Sequence, residues 1–244
     1  MALKSFKRKL FLFEMGDIVI DVLLMAIAVI GLQYFVVSAF VVSGASMEIN
    51  LHDQEIVLVN RIGQGKYILR NEHQLVRGDV IVFRPPIETD QYYIKRIIGL
   101  PGDQVRFDKN QIYVNNTLLE EPYTNCARNE SLAEFPSSNP SPCTYDIVNG
   151  KTFQVPDHHY FVMGDNRMRS DDSRTCFMSA NTTQCPETET THFVPFDNIV
   201  GKAWFVLWPW NQTAAHTHNT NFFQKLWPLD NIRSIERYDP LHSS

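Results

Sequence analysis

The sequence lacks a concentrated basic region. Its 22 Lys and Arg residues are outnumbered by 27 Asp and Glu residues, and the formal net charge is -5. Because binding to a phosphate backbone requires a basic face, this charge pattern argues against nucleic acid as a partner. The chain also lacks internal repeats of the lengths that mark solenoids and propellers. We therefore expect one sizeable domain, or one domain with an anchor.

Metal-site spacing is also missing. The four cysteines form two local pairs, Cys126 with Cys143 and Cys176 with Cys185. Neither pair has C-x-x-C spacing and no group of histidines lies nearby, so a zinc site is the less favoured interpretation. An even number of cysteines in an exported domain favours disulfides, although the connectivity stays open.

One long apolar run is present, and it lies near the N-terminus. Residues 22–42 carry no formal charge. A helix of this length spans roughly 30 Å, about the thickness of the hydrocarbon core of a bilayer. The alternative, a helix buried in a protein core, would normally show a polar stripe. The sequence therefore predicts a transmembrane anchor over residues 17–42.

Basic residues flank this run on its N-terminal side. No Lys or Arg follows the run until Arg61, whereas four precede it: Lys4, Lys7, Arg8 and Lys9. The positive-inside rule therefore predicts a single-pass membrane protein, with residues 1–16 in the cytoplasm and residues 43–244 on the other side of the membrane. A cleavable signal peptide is the competing interpretation, but the run is longer than the apolar region of such a peptide.

After residue 43 the pattern changes to short β-branched runs bounded by Gly, Pro or Asn. Strands are predicted at residues 55–60, 79–83, 92–98, 104–107, 111–114, 152–155, 160–163 and 202–207. No long amphipathic helix follows the anchor. We therefore expect a mostly β fold, in which one N-terminal transmembrane helix precedes an irregular antiparallel β-sheet or partial-barrel domain.

Two polar stretches interrupt the strand pattern. Residues 120–148 are rich in Pro, Ser, Asn and Thr and contain the first cysteine pair, and residues 176–191 contain the second. Long loops without secondary structure are uncommon in compact domains, and a disulfide can constrain them. Both stretches are expected to be disulfide-stapled insertions into one domain.

A serine follows the apolar run closely. The hydroxyl of Ser46 is a poor nucleophile unless a base takes its proton. His52 is the first candidate, but no Gly-x-Ser-x-Gly elbow surrounds Ser46 and no histidine lies in a recognisable partner motif. Lys95 lies inside an apolar run, where burial would depress the pKa of its amine and make the neutral form accessible. Lys95 is therefore a better candidate base than any histidine, but spacing alone favours an ordinary solvated lysine on a strand.

Four segments of the sequence occur in a distinctive order. They read Gly44-Ala-Ser-Met47, Arg77-Gly-Asp-Val-Ile-Val-Phe83, Tyr93-Ile-Lys-Arg-Ile-Ile-Gly-Leu-Pro-Gly-Asp103, and Gly164-Asp-Asn166 followed by Ser170-x-Asp172-Ser-Arg174. Further matches lie at residues 193–195 and 200–203. Together these segments resemble the bacterial type I signal peptidases, the leader peptidases of the Ser-Lys family S26. The resemblance covers residues 17–208, apart from the insertions.

The resemblance implies a role for each matched polar residue. Ser46 would be the acylating nucleophile and Lys95 its general base. Ser170 would exchange a hydrogen bond with the Lys95 amine and orient it. The other supporting residues are Asp172 and Arg174, which would form an ion pair, and Asp165 and Arg96, which would belong to the same polar shell.

The same resemblance implies where the substrate lies. Met47, Tyr93 and Ile94 would line the pockets that accept small side chains. Many relatives carry a serine two residues before the nucleophile, and its hydroxyl helps to bind the oxyanion, but Gly44 occupies that position here. The oxyanion would then depend on the backbone at Ser46 and Gly44, with the Ser46 amide as the leading N–H donor.

A second departure follows the nucleophile. The family usually reads Ser-Met-x-Pro-Thr-Leu, but this chain has Ile49-Asn50 where Pro-Thr is expected. This change alters the turn after the nucleophile and bears on substrate preference, while Ser46 itself is retained.

The resemblance implies a membrane-bound serine endopeptidase that removes N-terminal signal peptides from exported preproteins. Cleavage would follow small residues in sites of the Ala-x-Ala type. The enzyme would lie in the lipid bilayer of the cell (inner) membrane near the secretion translocon, with its catalytic domain in the periplasm or another extracytoplasmic space. The reaction requires neither a metal nor an organic cofactor.

Alternatives of other kinds stay open. Residues 49–50 and the insertion at 120–148 are compatible with a dedicated processing peptidase of the same clan, of the conjugation-associated or pilin type. A non-catalytic, membrane-anchored exported binding protein is disfavoured because both Ser46 and Lys95 are retained. A soluble self-cleaving repressor is disfavoured by the apolar run and by the absence of a helix-turn-helix pattern.

Overall fold

A computed structural model describes most of the chain. The described residues are 2–48, 50–61, 74–87, 90–124, 145, 147–178, 185, 189–207 and 232–235. The cysteine pair Cys126 and Cys143 lies outside the described residues, as does most of the predicted insertion at 120–148.

The longest element is an N-terminal helix. Helix α1 spans Ala2–Phe35. Between Met15 and Ile30 its large apolar side chains are exposed, for example Met25 at 63%. Within the described part of the chain, no helix combines the length and the apolar character that crossing a membrane requires.

The C-terminal end of the predicted anchor is a strand and not a helix. Helix α1 ends at Phe35, and strand β1 occupies Val37–Val41. Strand β1 pairs antiparallel with β2 (Ile56–Asn60), and Val37 lies opposite Asn60. Branched side chains favour an extended backbone, and an apolar run alone does not separate a helix end from a buried strand. The prediction of one continuous span to residue 42 is therefore wrong.

The rest of the described chain is mostly β, as expected. The strands after β2 are β3 (Val80–Phe83), β4 (Tyr93–Gly99), β5 (Gln104–Asp108), β6 (Gln111–Val114), β7 (Thr117–Leu118), β8 (Thr152–Gln154), β9 (His159–Met163), β10 (Val194–Pro195), β11 (Ile199–Leu207) and β12 (Ile232–Ser234). Short 3-10 helices occupy Ser173–Thr175, Glu189–His192 and Phe196–Asn198. Each predicted strand is found, with ends that differ by three residues or fewer.

The strands form two antiparallel sheets. The larger sheet has the order β1-β2-β11-β3-β4-β9-β10, and β12 pairs with β11. The smaller sheet has the order β7-β6-β5-β8. The chain leaves β4 of the larger sheet at Gly99 and enters β5 of the smaller sheet at Gln104. Strand β4 therefore lies inside the larger sheet, between β3 and β9, and is buried from Lys95 to Gly99.

Buried apolar side chains form three clusters. One packs the smaller sheet against β9 and includes Phe107 and Phe161. A second lies between β3, β4, β9 and the segment around Phe196. A third joins β2 and β11 to Met47 and Leu51, which follow the candidate nucleophile. The third cluster therefore fixes the segment that carries Ser46 through the side chains of Met47 and Leu51.

The predicted insertion begins and ends inside the core. Tyr123 and Thr124 are buried near its start, and Tyr145 and Val148 are buried near its end. Tyr145 and Val148 pack with the smaller sheet, and the Tyr145 ring lies edge-on to Phe107. The two ends of the predicted insertion therefore belong to the core of the domain. Polar residues surround Tyr123 and Tyr145 in the sequence, so the burial of these two side chains was not predicted.

Gly99 is expected to tolerate no side chain. It lies at an irregularity of the β4–β9 pairing, and a Cβ there would lie 2.8 Å from a Val105 methyl and 2.9 Å from a Val155 methyl. Overpacking of this kind costs about 1–3 kcal/mol, so Gly99→Ala should lower the free energy of unfolding in urea by about 2 kcal/mol. Leu118→Ala, at an exposed strand position, is the control and should change it by less than about 1 kcal/mol. Equal unfolding free energies for Gly99→Ala and wild type would contradict this packing.

Candidate active site

Ser46 lies on a tight segment just beyond strand β1. Gly44, two residues earlier, has a φ of 91°, in the left-handed region that favours glycine. After Ser46 the backbone closes one turn, in which the amides of Asn50 and Leu51 each donate to the Met47 carbonyl at 3.0 Å. Met47 and Leu51 are buried in the core. The position of the Ser46 hydroxyl is therefore set by a closed and packed turn.

The Lys95 amine meets the Ser46 hydroxyl. Lys95 lies in the middle of β4, opposite Ile81 of β3. Its Nζ donates a hydrogen bond to Ser46 Oγ at 2.7 Å. The two residues are 49 positions apart in the sequence. The sheet, and not local chain geometry, brings them together.

Burial controls the charge of Lys95. The residue is 4% exposed, and desolvation lowers the pKa of its amine to about 8. The carboxylates of Asp172, Asp171 and Asp165 act in the opposite direction, because negative charges favour the protonated amine. Desolvation outweighs them. A substantial fraction of Lys95 is therefore neutral at pH values where an exposed lysine is almost fully protonated.

A loop from residue 164 to residue 166 holds the nucleophile segment from one side. The Asn166 amide donates to the Ser46 carbonyl, and Asn166 Nδ2 donates to the Ala45 carbonyl, both at 3.0 Å. A Cβ on Gly164 would collide with the Ser46 carbonyl and with the Ser170 hydroxyl. Glycine is required here for close approach, and asparagine supplies two of the contacts that fix the backbone of Ser46.

Asp172 and Arg174 form the expected ion pair beneath this loop. Arg174 Nε and Nη2 each donate to the Asp172 carboxylate at 2.8 Å. Asp172 also accepts from the amides of Gly164 and Arg174 and begins the 3-10 helix Ser173–Thr175. Burial would raise the pKa of Asp172, but the Arg174 guanidinium and these N–H donors hold it below its usual value. Asp172 is therefore ionised and ties the Gly164 loop to the helix.

Ser170 is near the site but does not bond to Lys95. Its buried hydroxyl has no hydrogen-bond partner among the described residues. The hydroxyl lies near the Asp172 carboxylate and helps to lower its pKa, without the geometry of a hydrogen bond. The missing side chain of Gly164 lets Ser170 pack against the loop, and the expected hydrogen bond between Ser170 and the Lys95 amine is not formed.

Arg96 and Asp165 lie together on the side of β4 opposite Lys95. Arg96 Nε and Nη2 donate to the two oxygens of Asp165 at 2.8 and 2.7 Å. Arg96 Nη1 also donates to the Gly78 carbonyl at 2.8 Å. Successive residues of a strand point to opposite faces, so Lys95 contacts Ser46 on one face of β4 and Arg96 contacts Asp165 on the other. The pair fixes Asp165 and with it the loop that carries Asn166.

A cleft of about 350 Å³ opens next to Ser46 and Lys95. Tyr93 and Ile94 line it, as expected from the sequence. The other lining residues are Phe40, Val41, Val42, Ser43, Gly44, Ala45, Val57, Val82, Gln91, Tyr92, Arg169 and Asp171. Strand β1 and strand β4 thus form two walls of a groove with the candidate nucleophile at its end.

Met47 does not line the cleft. It is 1% exposed and packs in the core with Leu51, Val57 and Val59. The turn after Ser46 directs the Met47 side chain inward, so the prediction of a pocket role is wrong. The residues of β1 that line the cleft were missed because the apolar run was interpreted as helix to residue 42.

One of the two expected oxyanion donors is already occupied. The Gly44 amide donates to the Asp53 carboxylate at 2.7 Å, and this bond lowers the pKa of Asp53. The Ser46 amide has no acceptor among the described residues. Of the two amides, the Ser46 N–H is therefore the one that can donate to a developing oxyanion.

Cys176 and Cys185 are joined by a disulfide. His192 lies beside them, with its Nδ1 at 2.6 Å from the Ser173 carbonyl oxygen. The ligand atoms of the two cysteines and His192 lie within 4.8 Å of one another, but a disulfide leaves no thiolate for a metal. Cys176 directly follows the 3-10 helix Ser173–Thr175. The disulfide therefore restrains the chain close to Asp172.

Asp171 is a cleft residue that sequence reasoning missed. It is partly buried, and burial together with repulsion from Asp172 raises the pKa of its carboxyl. It lies in the cleft with Lys95, whose protonated form it favours. Two adjacent aspartates directly after Ser170 were the available signal, but only the second belongs to the motif.

Replacing Asp171 with Asn is expected to lower the pKa of Lys95. The change removes a negative charge that favours the protonated amine, so the pKa of about 8 should fall. Solvent screening limits the effect to roughly half a unit. The measurement is an NMR titration of the Lys95 side chain. Asp108→Asn, in the smaller sheet, is the control and should leave the titration unchanged; an upward shift in Asp171→Asn would contradict the assignment.

The chain is similar to several known proteins. A family model described as signal peptidase, peptidase S26, matches residues 15–208. Signal peptidase I of Pseudomonas aeruginosa is 34% identical over 230 residues, which cover 85% of this chain and 76% of that protein. Signal peptidase I of Bacillus amyloliquefaciens is 38% identical over 168 residues, which cover 69% of this chain and 82% of that protein.

Two further proteins are similar. Signal peptidase I S of Bacillus subtilis is 33% identical over 199 residues, covering 82% of this chain and 98% of that protein. A crystal structure of a signal peptidase I from Enterococcus faecalis is 31% identical, covers 52% of this chain and 95% of that chain, and superposes with a TM-score of 0.38, too low to support the fold by itself. The family match and the identities over most of the chain are sufficient: the chain belongs to the signal peptidase family, peptidase S26.

Proposed function

We propose that this protein removes N-terminal signal peptides from exported preproteins, with Ser46 as nucleophile and Lys95 as general base. Family membership supports the reaction. The observation that carries the assignment of roles is the 2.7 Å hydrogen bond between the buried Lys95 amine and the Ser46 hydroxyl. A serine and a desolvated lysine in direct contact supply the nucleophile and the base of acyl transfer, since a neutral amine can accept the hydroxyl proton.

The reaction proceeds through an acyl-enzyme. Neutral Lys95 takes the proton from Ser46 Oγ while the oxygen attacks the carbonyl carbon of the scissile peptide bond. The protonated Lys95 then gives this proton to the departing amine, the C–N bond breaks and the mature protein leaves. Lys95, neutral again, takes a proton from water, and the hydroxide oxygen attacks the ester. The signal peptide leaves with a free carboxylate, and Ser46 recovers its proton from Lys95.

The oxyanion of both tetrahedral intermediates is assigned to the Ser46 amide. Its N–H has no acceptor among the described residues, whereas the Gly44 amide is held by Asp53. Gly44 contributes through its left-handed backbone, which directs the chain into the nucleophile turn. Removing a single oxyanion donor in other serine peptidases costs about 3 kcal/mol of transition-state stabilisation, so this amide is worth a comparable amount.

The remaining residues support these two groups. Asp172 with Arg174 and Asp165 with Arg96 hold the loop that fixes the Ser46 backbone. Ser170 is assigned to orient the Lys95 amine during the reaction, which requires its hydroxyl to turn away from its present position. Tyr93 and Ile94 are the wall of the cleft that selects small residues before the scissile bond, in sites of the Ala-x-Ala type.

The N-terminal helix is assigned to the membrane. The exposed apolar side chains of residues 15–30 have no protein surface against them in the described chain, and lipid is the medium that such side chains prefer. The basic residues before them favour the cytoplasmic side, with residues 43–244 on the opposite side, near the translocon that delivers substrates.

Activity is expected to depend on a group with a pKa of about 8. Below this pH Lys95 is protonated and cannot accept the Ser46 proton, so kcat/KM on a signal-peptide substrate should rise with pH through this value. Ser46→Ala and Lys95→Ala should each lower kcat by at least about 1,000-fold while the domain stays folded. Lys109→Ala, at an exposed turn, is the control and should keep full activity. An acidic limb at a histidine-like pKa that survives in Lys95→Ala would identify a different base.

The full chain is expected to stay with membranes during alkaline extraction. Replacing both Leu23 and Leu24 with Lys should release it, because each lysine costs about 3 kcal/mol in the centre of an inserted helix. Replacing Leu118 and Ile147, two exposed residues of the β domain, with Lys is the control and should leave the chain in the membrane fraction. Release of the wild-type chain by alkali would contradict insertion.

A further inference from the structure

Asn50 connects the nucleophile turn to two different parts of the chain. Its side-chain Nδ2 donates to the Tyr123 carbonyl and to Asp165 Oδ2, both at 2.7 Å. A primary amide has two N–H protons, so one side chain can satisfy both acceptors, whereas a threonine hydroxyl has a single proton to donate. The departure from the family pattern at this position therefore adds a contact that threonine could not add.

Both acceptors of Asn50 belong to one buried cluster. Asp165 is 0% exposed and is held by the bidentate Arg96. The Arg96 guanidinium lies over the Tyr123 ring, 4.4 Å from its centroid. Each of Asn50 and Arg96 thus contacts both Tyr123 and Asp165. Hydrogen bonds to charged groups in such surroundings are stronger than bonds between neutral groups.

The same cluster continues to the loop that holds Ser46. The Tyr123 hydroxyl donates to Glu121 at 3.1 Å, and Glu121 forms an ion pair with Arg167 at 2.6 Å. Arg167 Nε donates to the Gly164 carbonyl at 2.9 Å. Asn166, in this loop, donates to the backbone carbonyls of Ala45 and Ser46. A continuous series of contacts therefore leads from the Asn50 side chain, through residues 121–123 and Arg167, to the loop that binds the backbone of Ser46.

We propose that Asn50 is a positioning residue for Ser46, and that it acts by docking the nucleophile turn onto residues 121–124. The proposal rests on the proposed function, because it assigns Ser46 as the group that must be positioned. Without the Asn50 amide, the turn keeps its packing through Met47 and Leu51 but loses its lateral attachment to Asp165 and Tyr123. A displacement of about 1 Å at a reacting atom can cost about 100-fold in rate.

The experiment compares Asn50→Leu, Asn50→Thr and wild type in the full-length protein. We expect kcat per folded enzyme to fall by about 30- to 100-fold in Asn50→Leu, with KM changed by less than about threefold. Asn50→Thr, which retains one donor, should recover part of the loss. Asn198→Leu, which removes a side-chain hydrogen bond to the Arg84 carbonyl, is the matched control and should keep full kcat.

Two readouts separate positioning from general instability. The acidic limb of the pH profile should stay at the wild-type value, because the substitution replaces one uncharged side chain with another. The NMR signal of the Lys95 amine should shift in Asn50→Leu, since the hydrogen bond to Ser46 Oγ is weakened. This second readout does not depend on turnover.

The outcomes distinguish the two proposals. If the wild-type protein cleaves none of the signal-peptide substrates, the proposed function is wrong. The NMR signal of the Lys95 amine then tests the positioning role of Asn50 by itself. Wild-type cleavage with a kcat of Asn50→Leu within about threefold of wild type would overturn the positioning role. Equal losses in Asn50→Leu and Asn198→Leu would overturn it as well, because they would reflect a general loss of stability.

Discussion

Every part of the site depends on the removal of water from one lysine side chain. The Lys95 amine is surrounded by sheet and by the Ser46 turn, and the free energy of hydrating its charge is lost on folding. This loss is opposed by three nearby aspartates, yet the pKa still falls to about 8. The balance is narrow. A slightly wetter site would keep the amine protonated, and a site without carboxylates would lower its basicity and weaken its ability to take a proton.

The arginines explain how three carboxylates can lie near a lysine without keeping it charged. Asp172 is neutralised by the bidentate Arg174, and Asp165 by the bidentate Arg96. Pairing of this kind satisfies the buried oxygens and leaves a smaller field at the neighbouring amine. Asp171 has no such partner among the described arginine pairs, and it favours the protonated form of Lys95 less strongly than Asp172 does. The ion pairs also serve as mechanical supports, since they fix the two ends of the loop from residue 164 to residue 174.

The sequence was sufficient for the strands and for the identity of the reacting groups, and insufficient for their surroundings. Alternating and β-branched runs defined β2 to β6, β8, β9 and β11, because each strand buries at least one face. Strand β1 was hidden in an apolar run that has no polar alternation. Ser46 and Lys95 were paired through resemblance to a family and not through spacing, since 49 residues separate them. Asn50 and Tyr123 are 73 positions apart in the sequence. No local pattern in the polar, proline-rich residues 120–148 could predict their contact.

The short connection between helix α1 and strand β1 has a consequence for substrate selection. A single residue separates the helix end at Phe35 from the strand start at Val37, and β1 is paired along its whole length with β2. The strand that leads to Ser46 therefore follows the helix without a long linker. With α1 as the proposed anchor, the distance between Ser46 and the bilayer is set by folded backbone and not by a flexible tether. Such an enzyme would act as a ruler, and a bond with suitable side chains at the wrong distance from the lipid would remain uncut.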